Sequence, residues 1–295
     1  MGKLYLQLIF LSGFLLMSLI SCKQKPTIKE NPSENYLLVD EKPNPQDPAR
    51  IEELQINSSG STIFGFEYVA NGAGPHPTVI LLHGIPGNER NLDIAQNLRR
   101  AGYNVLFFDY RGSWGSKGVF SFKNSLNDID AVLNYITTPE NSEVLRVDTG
   151  RIALVGHSMG AGLAMIKGIQ DSRVKAVAGI SVFNPYTIFQ GPQAKGNILN
   201  LREYISTLEV LNCDPNTYLK NILNDVEDYN IEKLVKNSSK PLLIIDEHKN
   251  NNYLARYPAK KNLIYKMWNT DHAFTNKRIA LSRELNNWLL KNLTP

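Results

Sequence analysis

Gly156-His157-Ser158-Met159-Gly160 sets a serine midway between two glycines, directly after the apolar run 152–155. Small residues follow it, among them Ala161, Gly162 and Ala164. A strand that turns sharply into a helix at such a serine lifts the hydroxyl above its sheet. The helix N-terminus then adds partial positive charge where an oxyanion would form. The chemistry is nucleophilic attack on a carbonyl, which position 158 would carry out as a hydroxyl. The plainer reading is a structural strand-to-helix turn. A serine nucleophile also needs a base, and the chain offers five histidines: His76, His83, His157, His248 and His272.

These residues need a scaffold, and hydrophobic spacing supplies one. Residues 51–57 and 62–70 alternate apolar and polar side chains around Ser58-Ser59-Gly60, which predicts an antiparallel hairpin at a sheet edge. Compact apolar runs at 78–82, 104–108, 151–155, 174–182 and 242–245 read as buried parallel strands. Residues 263–267 make a last strand. Helical stretches at 88–101, 125–138, 159–170 and 275–290 lie between or after them. This alternation predicts an α/β fold with a mostly parallel, doubly wound sheet. The rhythm breaks for about 55 residues before Leu242, too long for a simple loop. Helical spacing at 198–211 and 218–235 makes this insert, about 184–239, a helical cap between strands six and seven. Phe183, Tyr186 and Phe189 at its start are candidates to line an acyl pocket, or else pack the cap onto the core. Cys213 reads as an inert thiol.

With Gly156–Gly160, three further segments appear in order: His83-Gly84-Ile85-Pro86-Gly87, Asp109-Tyr110-Arg111-Gly112 and Thr270-Asp271-His272-Ala273-Phe274. In this the chain resembles the α/β-hydrolase fold family over residues 53–290. The resemblance implies that the amides of Ile85 and Met159 form an oxyanion hole, two fixed donors typically worth about 3 kcal/mol each. Asp109–Gly112 itself reads as a structural loop near the site, and Trp114 and Lys117 after it either line a pocket or lie at the surface. The family's chain order of nucleophile, acid, base leaves His248 and His272, and position before the closing helix favours His272.

The acid departs from the family pattern, in which a glycine, two residues and an aspartate follow strand seven. Here spacing puts Glu247 at the glycine and Asn250 at the aspartate. Asparagine in that role costs on the order of 10⁴ in kcat. Three readings stay open. Asp246 or Glu247 swings in as the acid; Asn250 orients the base less well; or the site has become a slow or purely binding one. Asp271, next to His272, ranks last.

The chain has 295 residues, a formal net charge of +4, 42% hydrophobic residues and two cysteines. That apolar fraction excludes a wholly disordered chain. Two cysteines exclude a disulfide scaffold and a cysteine-rich zinc site. The basic residues are scattered, so no nucleic-acid partner is expected, and no metal or organic cofactor is implied. Met1-Gly2-Lys3 and the apolar stretch 4–20 have the layout of a secretory signal. Leu19-Ile20-Ser21-Cys22 resembles the lipobox of bacterial lipoproteins, which implies acylation of Cys22 and a lipid anchor in a bacterial membrane. An uncleaved anchor helix and an ordinary secreted protein are the alternatives. Residues 22–50, with five prolines, read as a tether, with 36–39 as an optional ordered edge. Residues 51–295 are then the hydrolase domain. The expected function is a lipid-anchored serine hydrolase that acts on an ester, or else an amide, of moderate size. The alternative is a binding lipoprotein on the same fold.

Overall fold

The computed structural model describes residues 36–37, 39–257 and 262–293. The signal segment and Cys22 lie outside the described residues.

Two long strands, β1 (Arg50–Ser58) and β2 (Ser61–Val69), form the antiparallel hairpin at the sheet edge. The other strands are β3 (His76–Leu82), β4 (Asn104–Phe108), β5 (Val147–His157), β6 (Val174–Ile180), β7 (Leu242–Asp246) and β8 (Leu263–Met267). All eight make one sheet in the order β1-β2-β4-β3-β5-β6-β7-β8. From β4 to β8 every pairing is parallel, and β2 runs antiparallel to β4. β4 and β7 are buried along their whole length, as continuous apolar runs require when helices cover both faces.

One face is covered by α1 (Leu92–Arg100) and by the last helix. The other carries α2 (Phe122–Ile136), a short α3 (Pro139–Val144) and α4 (Met159–Gln170). Between β6 and β7 stand α5 (Pro185–Gln190), α6 (Ala194–Ser206), α7 (Pro215–Asn224) and α8 (Ile231–Asn237). The closing helix is α9 (Arg278–Leu293), which buries Leu281, Leu285, Trp288 and Leu289 at helical spacing. The fold class expected from sequence is the one observed.

The cap differs from its expected outline for local reasons. Residues 218–235 do not form one helix. Asn230 accepts from the Lys233 amide at 3.0 Å and so caps a new helix, α8. Asn184-Pro185 and Asp214-Pro215 start α5 and α7 in the same way, with a capping side chain followed by proline at the first turn. α3 was not foreseen, although Thr138-Pro139 carries the same signal.

The cap is stitched to the loop after β4. The amide of Trp114 donates to the Val210 carbonyl at 3.2 Å, and that of Phe120 to the Asn212 carbonyl at 2.9 Å. Arg111 holds this loop to α2: its amide and Nε donate to the buried Asp128 carboxylate at 2.8 and 2.5 Å. The segment before β1 also lies on the domain. The Gly72 amide donates to the Asp47 carbonyl at 2.8 Å, Arg146 pairs with the Asp47 carboxylate at 3.3 Å, and the Asn44 amide donates to Asn71 Oδ1 at 2.7 Å.

Candidate active site

Ser158 stands between β5 and α4 with φ 56° and ψ −119°, a backbone shape that L residues rarely adopt. The flanking glycines make it feasible. A Cβ on Gly156 would lie 2.1 Å from the Gly160 carbonyl oxygen, and one on Gly160 would lie 2.1 Å from that of Leu82. The turn after β3 therefore presses on the turn after β5. A Cβ on Gly84 would come within 2.9 Å of Ser158 Cβ and 3.4 Å of its Oγ. Met159 is the first residue of α4, where an N–H finds no carbonyl one turn back.

The Ile85-Pro86 segment is held from outside. Trp114 Nε1 donates to the Pro86 carbonyl at 2.6 Å, and the Tyr204 hydroxyl of α6 donates to that of Ile85 at 3.3 Å. Beneath it, His83 is buried and its Nδ1 donates to the Gly84 carbonyl at 2.8 Å. Burial pulls the His83 pKa down to about 4, so the ring is neutral and structural at neutral pH.

His272 lies in the loop between β8 and α9, and its side chain is 59% exposed. Its Nδ1 meets Glu247 Oε1 at 2.8 Å. Three contacts hold the loop. His157 Nε2 donates to the His272 carbonyl at 2.8 Å, and Arg278 Nη1 donates to that of Ala273 at 3.0 Å. Phe274 is fully buried in the core. The His157 and His272 ring centroids are 4.9 Å apart, which brings His272 beside the residue before Ser158. Burial pulls His157 down to about 4, so it serves as a neutral strut.

Glu247 is the first residue beyond β7. Burial pushes its carboxyl up, but hydrogen bonds from His272, from its own backbone amide and from Ser181 outweigh this and hold it below the ordinary glutamate value. Ser181, the first residue after β6, was not singled out from sequence. Its Oγ lies 2.9 Å from Glu247 Oε1 and 2.9 Å from His272 Nδ1. No local motif marks such a serine, because its neighbours are remote in sequence.

Of the carboxylates weighed from sequence, the structure brings Glu247 to the histidine. Asp246 is fully buried and turned elsewhere: it accepts from the Val182 amide at 2.8 Å, Asn251 Nδ2 at 3.1 Å and the Tyr265 hydroxyl at 3.3 Å. It fixes the root of the loop. Asp271 accepts from the Thr275 amide at 2.8 Å. Asn250 is exposed and lines a cavity of about 650 Å³ with Thr187, Ile188, Leu201 and Tyr204. Phe183 and Phe189 pack edge to face at 6.1 Å against the apolar core, and other faces of α5 and α6 line that cavity. Tyr186 is half-buried and is not among its lining residues.

Residues 77–243 match the α/β-hydrolase fold family, more than half of the chain. The chain belongs to that family. An uncharacterized 31.7 kDa protein encoded in the traX-finO intergenic region of Escherichia coli is 33% identical over 120 residues, which are 39% of this chain and 40% of that protein. The match thus spans about two fifths of that curated relative's length. Two solved α/β structures share the fold at low identity. An esterase of Pyrococcus furiosus superposes with TM-score 0.59 at 18% identity, covering 83% of this chain and 92% of that one. Est1E from Butyrivibrio proteoclasticus, solved with ferulic acid, gives 0.59 at 18% identity, covering 81% and 98%. As in α/β sheets generally, the candidate residues gather at the carboxyl ends of the parallel strands.

Proposed function

We propose that this protein is a serine hydrolase that cleaves a carboxylic ester, or an amide, through an acyl-enzyme on Ser158. The observation that carries the reading is the Glu247–His272 pair, whose imidazole lies 4.9 Å from the ring of His157, the residue before Ser158 in the strained strand-to-helix turn. Ser158 Oγ attacks the carbonyl carbon while its proton passes to His272 Nε2. Glu247 holds Nδ1–H, fixes the tautomer and balances the imidazolium charge. The amides of Ile85 and Met159 receive the developing oxyanion. Collapse gives the acyl-enzyme and releases the alcohol or amine, which takes the proton back from His272. Water, activated by the same histidine, then frees the acid. The cavity lined by Ile188, Leu201, Tyr204 and Asn250 receives the substrate portion beyond the scissile bond.

The carboxylate at Nδ1 supports turnover over the binding-only reading, whose ground was Asn250 at the acid position. Export and lipidation at Cys22 belong to the same proposal and rest on the sequence of residues 1–22. Substitution of Cys22 by serine should then move the protein from the membrane fraction to the soluble fraction.

A fluorophosphonate probe tests the chemistry. Labelling should fall on Ser158, vanish in Ser158→Ala and slow at least a hundredfold in His272→Ala, the scale on which a general base acts. Folded protein that takes no label would refute the proposal. A series of chromogenic esters of rising acyl length, run beside aminoacyl amides, then sorts ester from amide substrates.

A further inference from the structure

Ser181 occupies an unusual position for a residue with no part in bond making. It follows β6, is 1% exposed and sits at φ 54°, in the left-handed region. Its amide donates to the Ile245 carbonyl at 2.8 Å, which fixes the backbone between β6 and β7. Strain of this kind persists only where the surroundings enforce it, and it clusters at functional sites.

The hydrogen atoms can be counted. Glu247 as a carboxylate brings none, Ser181 brings one and His272 Nδ1 brings one. The hydroxyl donates to Oε1, and its lone pair faces Nδ1–H. The three atoms form a nearly equilateral triangle with sides of 2.8, 2.9 and 2.9 Å. The other carboxylate oxygen, Oε2, is buried with no hydrogen bond among the described residues. Without Ser181, the only side chain among the described residues that hydrogen-bonds the carboxylate would be the histidine that the carboxylate must orient. A glutamate also has one more rotatable bond than an aspartate, so its head group needs a fixed partner more.

We propose that Ser181 is a positioning residue: its hydroxyl locks the Glu247 carboxylate and, through it, the Nδ1–H tautomer and ring orientation of His272. This rests on the serine-hydrolase reading and deepens it. The step needs no further reactant, because no bond to Ser181 forms or breaks.

The test uses the full chain and a short-chain p-nitrophenyl ester. Ser181→Ala should lower kcat roughly tenfold or more while KM stays within about twofold, as expected for a lost hydrogen bond to a charged group that acts in the transition state. Ser181→Gly should do the same with its melting temperature kept, because glycine accepts φ 54° without strain. In a Glu247→Gln background, Ser181→Ala should add less than about twofold, since the two residues act as one unit. The Glu247 carboxyl, followed by carbon-13 NMR, should titrate higher in both serine variants. Unchanged kcat in both variants, losses that multiply with Glu247→Gln, or an unmoved Glu247 titration would each overturn the proposal. A wild-type protein that fluorophosphonate does not label refutes the hydrolase reading instead. In that case the carboxyl titration still decides whether Ser181 holds Glu247.

Discussion

Side-chain reach decides which carboxylate meets His272. Glu247 begins at the very end of β7, where an aspartate would be one methylene shorter, and it meets Nδ1 at 2.8 Å. The family spacing pointed three residues further on, to Asn250, because that template assumes the shorter acid on a longer loop. Ser158 and His272 were legible as sequence, since a pentapeptide and a chain order mark them. The partner of His272 was not, because the choice among Asp246, Glu247 and Asn250 depends on which way each side chain leaves the strand. Under the proposed mechanism, Glu247→Gln should lower kcat by up to about 10⁴, as for the matching change in other triads. Asn250→Asp should leave kcat within about twofold, because its side chain is exposed at the cavity rim. Asp246→Ala should act on stability, lowering it by on the order of 3 kcal/mol in denaturant titration, because it strands the Val182 amide and Asn251. Gly84→Ala should cut kcat/KM for small esters at least a hundredfold with the fold intact, since the new methyl would press on Ser158.

Elements act here through their ends. The helices and strands were readable from apolar spacing because each buries one stripe or one full run. What spacing missed were the breaks: the new helix at Asn230 and the short one after Thr138, both set by capping side chains. The His272 loop shows the same dependence. It is pinned by His157 from β5, by Arg278 from α9 and by the buried ring of Phe274. Arg278 also pairs with Asp93 of α1, which ties the loop to a second helix. His157→Phe keeps the bulk of the strut and removes its donor. We expect kcat to fall about tenfold with little change in KM, as for a lost hydrogen bond that positions a base.

At the scale of the whole molecule, one buried carboxyl contributes a pH dependence unrelated to catalysis. Glu67 lies on β2, is fully buried, and faces Glu52 on β1 and Leu106 on β4. Burial pushes its pKa from 4.5 up to about 8, against a weaker pull from Arg50. Between those values the folded chain binds a proton that the unfolded chain has lost. Its contribution to stability therefore falls with rising pH across that window, by up to about 1.4 kcal/mol per pH unit, and levels off above it. Glu67→Gln should melt higher than wild type at pH 9 and nearly level with it at pH 5. Thermal unfolding across that pH range checks the sign. The docked segment before β1 bears on a different matter, the direction in which the site looks. Asn44 and Asp47 rest against Asn71, Gly72 and Arg146, at the end of the sheet where β3 and β5 begin. Ser158, Ser181 and Glu247 lie where β5, β6 and β7 finish. Arg100 Nε donates to the Tyr36 carbonyl at 2.8 Å, which ties Tyr36 to the end of α1. The segment that leads into β1 and the candidate nucleophile thus stand at opposite poles of the sheet. The mouth of the candidate site therefore opens on the pole away from the docked segment, where a solute reaches it without crossing that part of the chain.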